Sequence, residues 1–405
     1  MIDIVHKLIE WEDSEPIELS EAEVLELEDQ GRWFAFRGEN EQGSVIRCTR
    51  LADNKFQVRV ENHVGAIRVG NHTFIVSPKI SFKHFAYISS FDFGRSLPKD
   101  RDEDVGLNAY TTFHELVAKW FIDDARQLVP QFLVRDYRAR SEVLTQVRGK
   151  VNIGTSSRKW VTGSLVVACE FEEFDLDHSI NRVIKEALNQ LQYASFLNAK
   201  IRADAKQLFR CMNEVSTLQP GDRRVLPDRR YKKYVNAYRL AGHVLDSTGR
   251  SIAEGSTYSR AFLFQTPLLI ENGIREILQR DLKQDSVSVE KLSVSIPPQG
   301  DADPDLVFNR GQLVGDVKYK THDSWSTMRA DMYQSVFFAA AFRTFQSIIV
   351  AFTTNQSSNL SEVRVGDHRL NGFLWATTEQ TEPSDQRYLL SDFVRRRISS
   401  FQDKE

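Results

Sequence analysis

Residues 304 to 320 constrain this chain more than any other segment. Pro304-Asp305-Leu306-Val307-Phe308 reads as a strand, Asn309-Arg310-Gly311-Gln312 as a turn, and Leu313-Val314-Gly315-Asp316-Val317-Lys318 as a second strand. Around this hairpin the pattern alternates. A helix is expected from Phe262 to Arg280 with Pro267 near its start, then a strand between Ser286 and Val294. After the hairpin come a helix from Met328 to Phe342 and a strand from Ser347 to Phe352. That order predicts an α/β domain with a central mixed sheet and helices on its faces.

The same hairpin carries chemistry. Asp316 and Lys318 are two apart on a strand, so both project from one face while Val317 points to the other. Asp305 lies on the neighbouring strand. Two carboxylates and a backbone carbonyl suffice for Mg²⁺, which is hard, prefers oxygen and keeps several waters. Asp305, Asp316 and the Val317 carbonyl are the candidate metal ligands. The Lys318 ammonium beside them suits orienting a water or stabilising a phosphorane. Glu271, in Leu268-Leu269-Ile270-Glu271, is an acid that reaches such a metal directly or through water, or else a solvated helix residue. Gln334, in Met332-Tyr333-Gln334-Ser335, bonds a water or phosphate, or else is a surface amide. Together these residues suit metal-assisted phosphodiester hydrolysis.

The rest of the chain differs in character. Residues 1 to 85 read mostly as short strands, including 33–37, 44–48, 56–60, 65–69 and 74–76. The exception is a capping-box-like helix start at Ser20-Glu21-Ala22-Glu23. Residues 86 to 106 read as a polar linker. Residues 107 to 256 turn helical, notably 112–121 and 179–191, with a strand pair between Tyr137 and Phe171. The chain is therefore read as multidomain α+β: an N-terminal small β domain (1–85), a mostly helical middle domain (107–256) and a C-terminal α/β domain (257–405).

At 405 residues, two or three domains are expected. A net charge of −3 is unusual for a free-standing DNA binder. The densest basic segments are Arg223-Arg224 with Arg229-Arg230-Tyr231-Lys232-Lys233, and Arg395-Arg396-Arg397. Phosphate contact and solvated helix ends both suit them. Cys48, Cys169 and Cys211 are far apart and no CxxC occurs, which suits a reducing cytoplasm. Neither a signal peptide nor a membrane span is expected. No G-x-x-x-x-G-K-[ST], H-E-x-x-H or G-x-S-x-G occurs.

The strand–turn–strand layout, with Pro304-Asp305 opening it and Asp316-Val317-Lys318 closing it, resembles the PD-(D/E)xK nuclease core. More broadly the chain resembles the McrC family, the nuclease subunits of McrBC modification-dependent restriction systems. The resemblance rests on 64–70 leading to 75–80, on Arg148-Gly149-Lys150-Val151, and on the block ending Asn181-Arg182-Val183-Ile184-Lys185. It continues through Pro304-Asp305, Asp316-Val317-Lys318-Tyr319-Lys320 and Met332-Tyr333-Gln334. Val317 stands where the family usually has Thr. The resemblance implies a restriction-endonuclease-like domain using Mg²⁺ or Mn²⁺ and double-stranded DNA as substrate. It also implies an McrB-like AAA+ GTPase ring as partner, docked by the N-terminal and middle regions. An inert activator of a motor NTPase and a solo DNA-repair nuclease are the competing readings.

Overall fold

A computed structural model describes residues 3–37, 43–52, 54–95, 112–224, 234–250, 259–297, 300–355 and 359–402. The chain divides into two compact units. One joins Met1–Leu116, Gly249–Ile252 and Arg260–Glu405; the other joins Val117–Thr248 and Ala253–Ser259. Boundaries are expected at 85, 106 and 256, whereas the N-terminal and C-terminal segments share one unit. The physical reason is strand pairing. Ile4–Ile9 pairs parallel with His72–Ser77, which pairs antiparallel with His63–Val69. The fourth strand, Ser259–Gln265, comes from the C-terminal segment and pairs antiparallel with His63–Val69 through Ala261↔Ile67 and Leu263↔Gly65. Ala261 and Leu263 then sit in the same apolar core as Leu8, Leu27, Phe34, Phe56 and Phe74.

Two expectations are corrected in this region. Residues 33–37 are not a strand but the end of a helix, Glu21–Arg37. Val24, Leu27, Phe34 and Ala35 are buried at helical spacing. Gly31 lets this helix press on the strand Ile46–Arg50, since a Cβ there would lie 2.8 Å from the Ile46 nitrogen. The expected linker begins inside a second helix, Phe82–Asp92, whose His84, Phe85, Ala86, Ile88 and Phe91 are buried. A segment apolar on nearly all sides is stable only inside a core. The remainder of the expected linker lies outside the described residues from 96 onward.

The C-terminal segment of this unit holds a six-stranded mixed sheet. Its order is Val289–Glu290, Leu306–Phe308, Leu313–Thr321, Gln346–Thr353, His368–Ala376 and Asn359–Val365. Gln346–Thr353 pairs parallel with both its neighbours, Leu313–Thr321 and His368–Ala376, and all eight of its residues are buried. That is the continuous apolar run expected of a strand covered on both faces. Helix Arg329–Ala341 packs on this sheet, and Pro383–Gln402 forms a further helix that the sequence reading did not resolve. The expected helix at 262–280 starts at Thr266 instead, with Pro267 in its first turn; the residues before it are the shared strand.

The other unit contains helices Ser179–Tyr193, Ala199–Arg210 and Val235–Ser247. Its expected strand pair is present as a three-stranded sheet of Asp136–Leu144, Val167–Asp175 and Lys150–Val151. Among the described residues no helix is long and apolar enough to cross a membrane.

Candidate active site

The hairpin read from the sequence is built around one sharp turn. Leu306–Phe308 pairs antiparallel with Leu313–Thr321 through Leu306↔Gly315 and Phe308↔Leu313. Asn309, Arg310 and Gly311 turn the chain at φ of 45°, 60° and 113°, a left-handed run that Asn and Gly tolerate best. The N–H groups of Gly311 and Gln312 both donate to the Phe308 carbonyl at 3.0 Å. Asp305, just before one strand, and Asp316, in the middle of the other, are thereby brought side by side. They are only 6% and 3% exposed.

Their environment is costly for charge. Burial is the main cause that raises the Asp316 pKa to about 7; Asp305 raises it further, and Lys318 pulls against both. Burial also raises Asp305, with Glu271 adding to it. The two carboxyl groups hydrogen-bond to each other, and the Val317 N–H donates to Asp305 Oδ2 at 2.9 Å. Lys318 Nζ lies 2.6 Å from Asp316 Oδ2. That contact is a short, charge-assisted one, and it only partly offsets what burial and Asp305 do to Asp316. Burial by itself would lower the Lys318 pKa, but Asp316 first, then Asp331 and Asp305, hold it above its ordinary value. Nζ also donates to Gln334 Oε1 at 2.8 Å from the facing helix.

Glu271 joins the group from the helix Thr266–Leu282. Its carboxyl is half-buried and raised in pKa by burial, with Lys291 and a hydrogen bond to Asp305 acting the other way. Gly273 lets this helix approach its neighbour: a Cβ there would meet the Ile88 carbonyl at 2.3 Å. All five candidate residues therefore belong to one connected cluster. Among the described residues, no three acidic, His or Cys side chains converge as a ready metal cage. The donor set is two carboxylates with Glu271 reaching them through Asp305. Two buried carboxylates with a third within reach suit a hard cation that keeps much of its water.

Sequence reasoning missed several neighbours. Lys291 Nζ stands 3.8 Å from Asp305 Oδ1, and Arg275 donates to the Asp305 carbonyl at 3.3 Å. Glu10, fully buried, accepts from Thr266 Oγ1 at 2.8 Å, from the Lys79 N–H at 3.2 Å and from the Tyr319 hydroxyl. No local pattern could have found Glu10, which lies some three hundred residues from Tyr319 in the chain. A cavity of about 420 Å³ opens beside this site, lined in part by Glu271, Lys318 and Lys320 together with Trp11 and Lys79.

The basic segments fare differently. Arg395 bonds Asp285 at 2.7 Å and the Asp281 carbonyl at 2.9 Å, Arg396 pairs with Asp392 at 2.6 Å, and Arg397 stacks over Phe393. These arginines are engaged within the chain. Arg223 pairs with Asp246, while residues 225–233 lie outside those described. Asn181 and Arg182, part of the motif block noted above, are structural ties. Arg182 is clamped by Asp222 at 2.7 and 2.8 Å, and Asn181 bonds both backbone groups of Val134.

A chain in the refined half-complex of the Thermococcus gammatolerans tetradecameric assembly, McrB AAA+ hexamers with bound McrC, superposes with a TM-score of 0.61. It is 16% identical, and the match covers 96% of this chain and 100% of that one. A chain of the cryo-EM structure of the Thermococcus gammatolerans McrBC complex gives 0.47 at 16% identity, covering 69% of this chain and 88% of that one. No curated protein matches the chain. The first superposition establishes a shared fold of mixed sheets and helices. The profile of the McrBC 5-methylcytosine restriction system component family matches residues 58–349, well over half of the sequence, and the chain belongs to that family.

Proposed function

We propose that the chain is the nuclease subunit of a two-component restriction complex. It is a Mg²⁺- or Mn²⁺-dependent endodeoxyribonuclease with a PD-(D/E)xK core, cutting modified double-stranded DNA in the cytoplasm. The observation that carries this reading is the buried Asp305–Asp316 pair with the Lys318 ammonium at 2.6 Å. Buried acids held at raised pKa weaken the bare fold, and such arrangements concentrate at functional sites. A divalent cation, when bound, polarises the scissile phosphate and lowers the pKa of a bound water. Asp305, Asp316 and the Val317 carbonyl would hold it, with Glu271 assisting directly or through water. Lys318 orients the attacking water and offsets charge building on the phosphate. Gln334 accepts from Lys318 at 2.8 Å and keeps the ammonium aimed.

The partner is an AAA+ GTPase ring related to McrB. In the Thermococcus gammatolerans assembly, McrB AAA+ hexamers carry bound McrC. This chain has no P-loop motif of its own, in keeping with a motor supplied by another protein. On this reading it docks on the ring, stimulates its hydrolysis and receives the DNA. The test is cleavage of methylated and unmethylated plasmid with Mg²⁺, by the chain alone and with its ring plus GTP. Cleavage only of modified DNA, and only with the ring, is expected. Strong cutting by the chain alone would sink the delivered-subunit reading. A ring whose hydrolysis is stimulated but which never cuts would leave an inert activator.

A further inference from the structure

The cavity beside Lys318 has two walls of different origin. One carries Glu271, Lys318 and Lys320; the other carries Trp11, Asn62 and Lys79 from the N-terminal segment. The N-terminal wall is fixed to the catalytic elements by a buried network. Asn62 accepts the Thr266 N–H at 2.8 Å at the start of the Glu271 helix, and Glu10 ties Thr266, Tyr319 and the Lys79 backbone together. Lys79 Nζ lies 4.2 Å above the Tyr319 ring.

Trp11 is the unusual member. It sits at φ 71°, a left-handed backbone that a bulky residue adopts at a cost. Residues held this way cluster at functional sites. Its backbone N–H donates to the Val60 carbonyl at 2.8 Å and its indole N–H to Asn62 Oδ1 at 3.1 Å, so the ring is held in place. It nonetheless remains 42% exposed. Lys320 pairs with Asp331 at 3.2 Å yet keeps its side chain 56% exposed. A fixed aromatic ring flanked by lysines is the arrangement that binds single nucleotides of a strand: every base has a face to stack, and every phosphate attracts an ammonium. A volume of about 420 Å³ accommodates one nucleotide.

We propose that this cavity binds one nucleotide of the strand being cut, next to the scissile phosphate, with its base against Trp11 and its phosphate between Lys79 and Lys320. The proposal rests on the nuclease reading above. It makes the N-terminal segment part of the substrate site rather than a partner-docking module alone.

The test uses the full complex with its ring, methylated duplex substituted with 5-iododeoxyuridine, and Ca²⁺ in place of Mg²⁺. Irradiation should crosslink DNA to the peptide containing Trp11, and Trp11→Leu should remove that product. With Mg²⁺, Trp11→Leu should slow single-turnover cutting roughly tenfold, the scale of one lost base stack. Ring hydrolysis and melting temperature should stay unchanged. Lys79→Gln combined with Lys320→Gln should flatten the dependence of log affinity on log salt by about 1 to 2, one unit per lost phosphate contact. Crosslinks that map outside the cavity, with parental cutting by Trp11→Leu while Asp316→Ala is inactive, would overturn this proposal and leave the nuclease reading standing. Cutting that survives Asp316→Ala would overturn both.

Discussion

Asp177 and Asp222 in one unit, and Asp305 and Asp316 in the other, are acids largely shielded from solvent beside a basic side chain, yet their surroundings act in opposite directions. Burial would raise the pKa of Asp177, but hydrogen bonds from the Ser216 hydroxyl and N–H, from Arg182 and from Arg138 hold it well below the usual range. Asp222 is lowered in the same way, with Arg182 and the Gln219 N–H overcoming burial. At Asp305 and Asp316 burial wins. Their neighbours are other acids, and the Lys318 ammonium does not make up the difference. The first group is saturated with donors and has no capacity left for a ligand. The second is short of positive charge, which on the proposed reading a bound cation supplies. The contrast sets a structural acid cluster apart from the proposed reactive one more sharply than burial or sequence pattern does.

Four measurements test this contrast. The largest effect is expected at the reactive pair. Asp316→Asn should abolish plasmid cutting by the complex while raising the urea midpoint of the metal-free chain, because it removes a charge the fold disfavours. A lower midpoint would show that Asp316 is structural after all. Next comes Arg182→Met, which strands Asp177 and Asp222 without their donor. The unfolding free energy should fall by about 3–5 kcal/mol, the usual cost of breaking one side of a buried pair. A loss under about 1 kcal/mol would erase the distinction.

Third, Mg²⁺ at a hundredfold its dissociation constant should stabilise the parent by about 2.7 kcal/mol and leave Asp305→Asn with Asp316→Asn unmoved. Equal stabilisation of both would place the cation elsewhere. The smallest effect is in pH dependence, and its sign differs between the groups. Asp316 has a folded pKa of about 7 against an unfolded value near 3.8. The folded state therefore binds the extra proton between those limits, and stability falls as pH rises through them. Asp177 has a depressed folded pKa, so its stabilisation is complete above about 4 and is lost as pH falls below that. Subtracting the Asp316→Asn curve from the parent curve should give a slope that is negative with pH between about 4 and 7. A positive slope there would reverse the assignment.

The hairpin was legible because turn, strand period and charge spacing are all local. Asn309 through Gly311 announce the turn, and the i, i+2 spacing of Asp316 and Lys318 states which side chains share a face. Residues 33–37 misled because a run of aromatic residues satisfies a buried helix as well as a strand; only the wider spacing from Val24 to Ala35 distinguishes them. Phe262 to Gln265 was read as helix because it runs without a break into Thr266 and Pro267, and its true partner, His63–Val69, is almost two hundred residues away. Glu10 and Lys79 were invisible for the same reason. Their role depends on Tyr319 and Thr266, and long-range pairing leaves no mark on a short window.

The strand Ser259–Gln265 also sets a schedule for synthesis. His63–Val69 keeps an open edge until that strand leaves the ribosome, and at 5–20 residues per second the wait is roughly 10–40 s. An unpaired, apolar edge exposed that long invites wrong partners. The open edge therefore exists before any of the proposed catalytic residues has been translated, and chaperone capture should peak on ribosomes stalled short of residue 259.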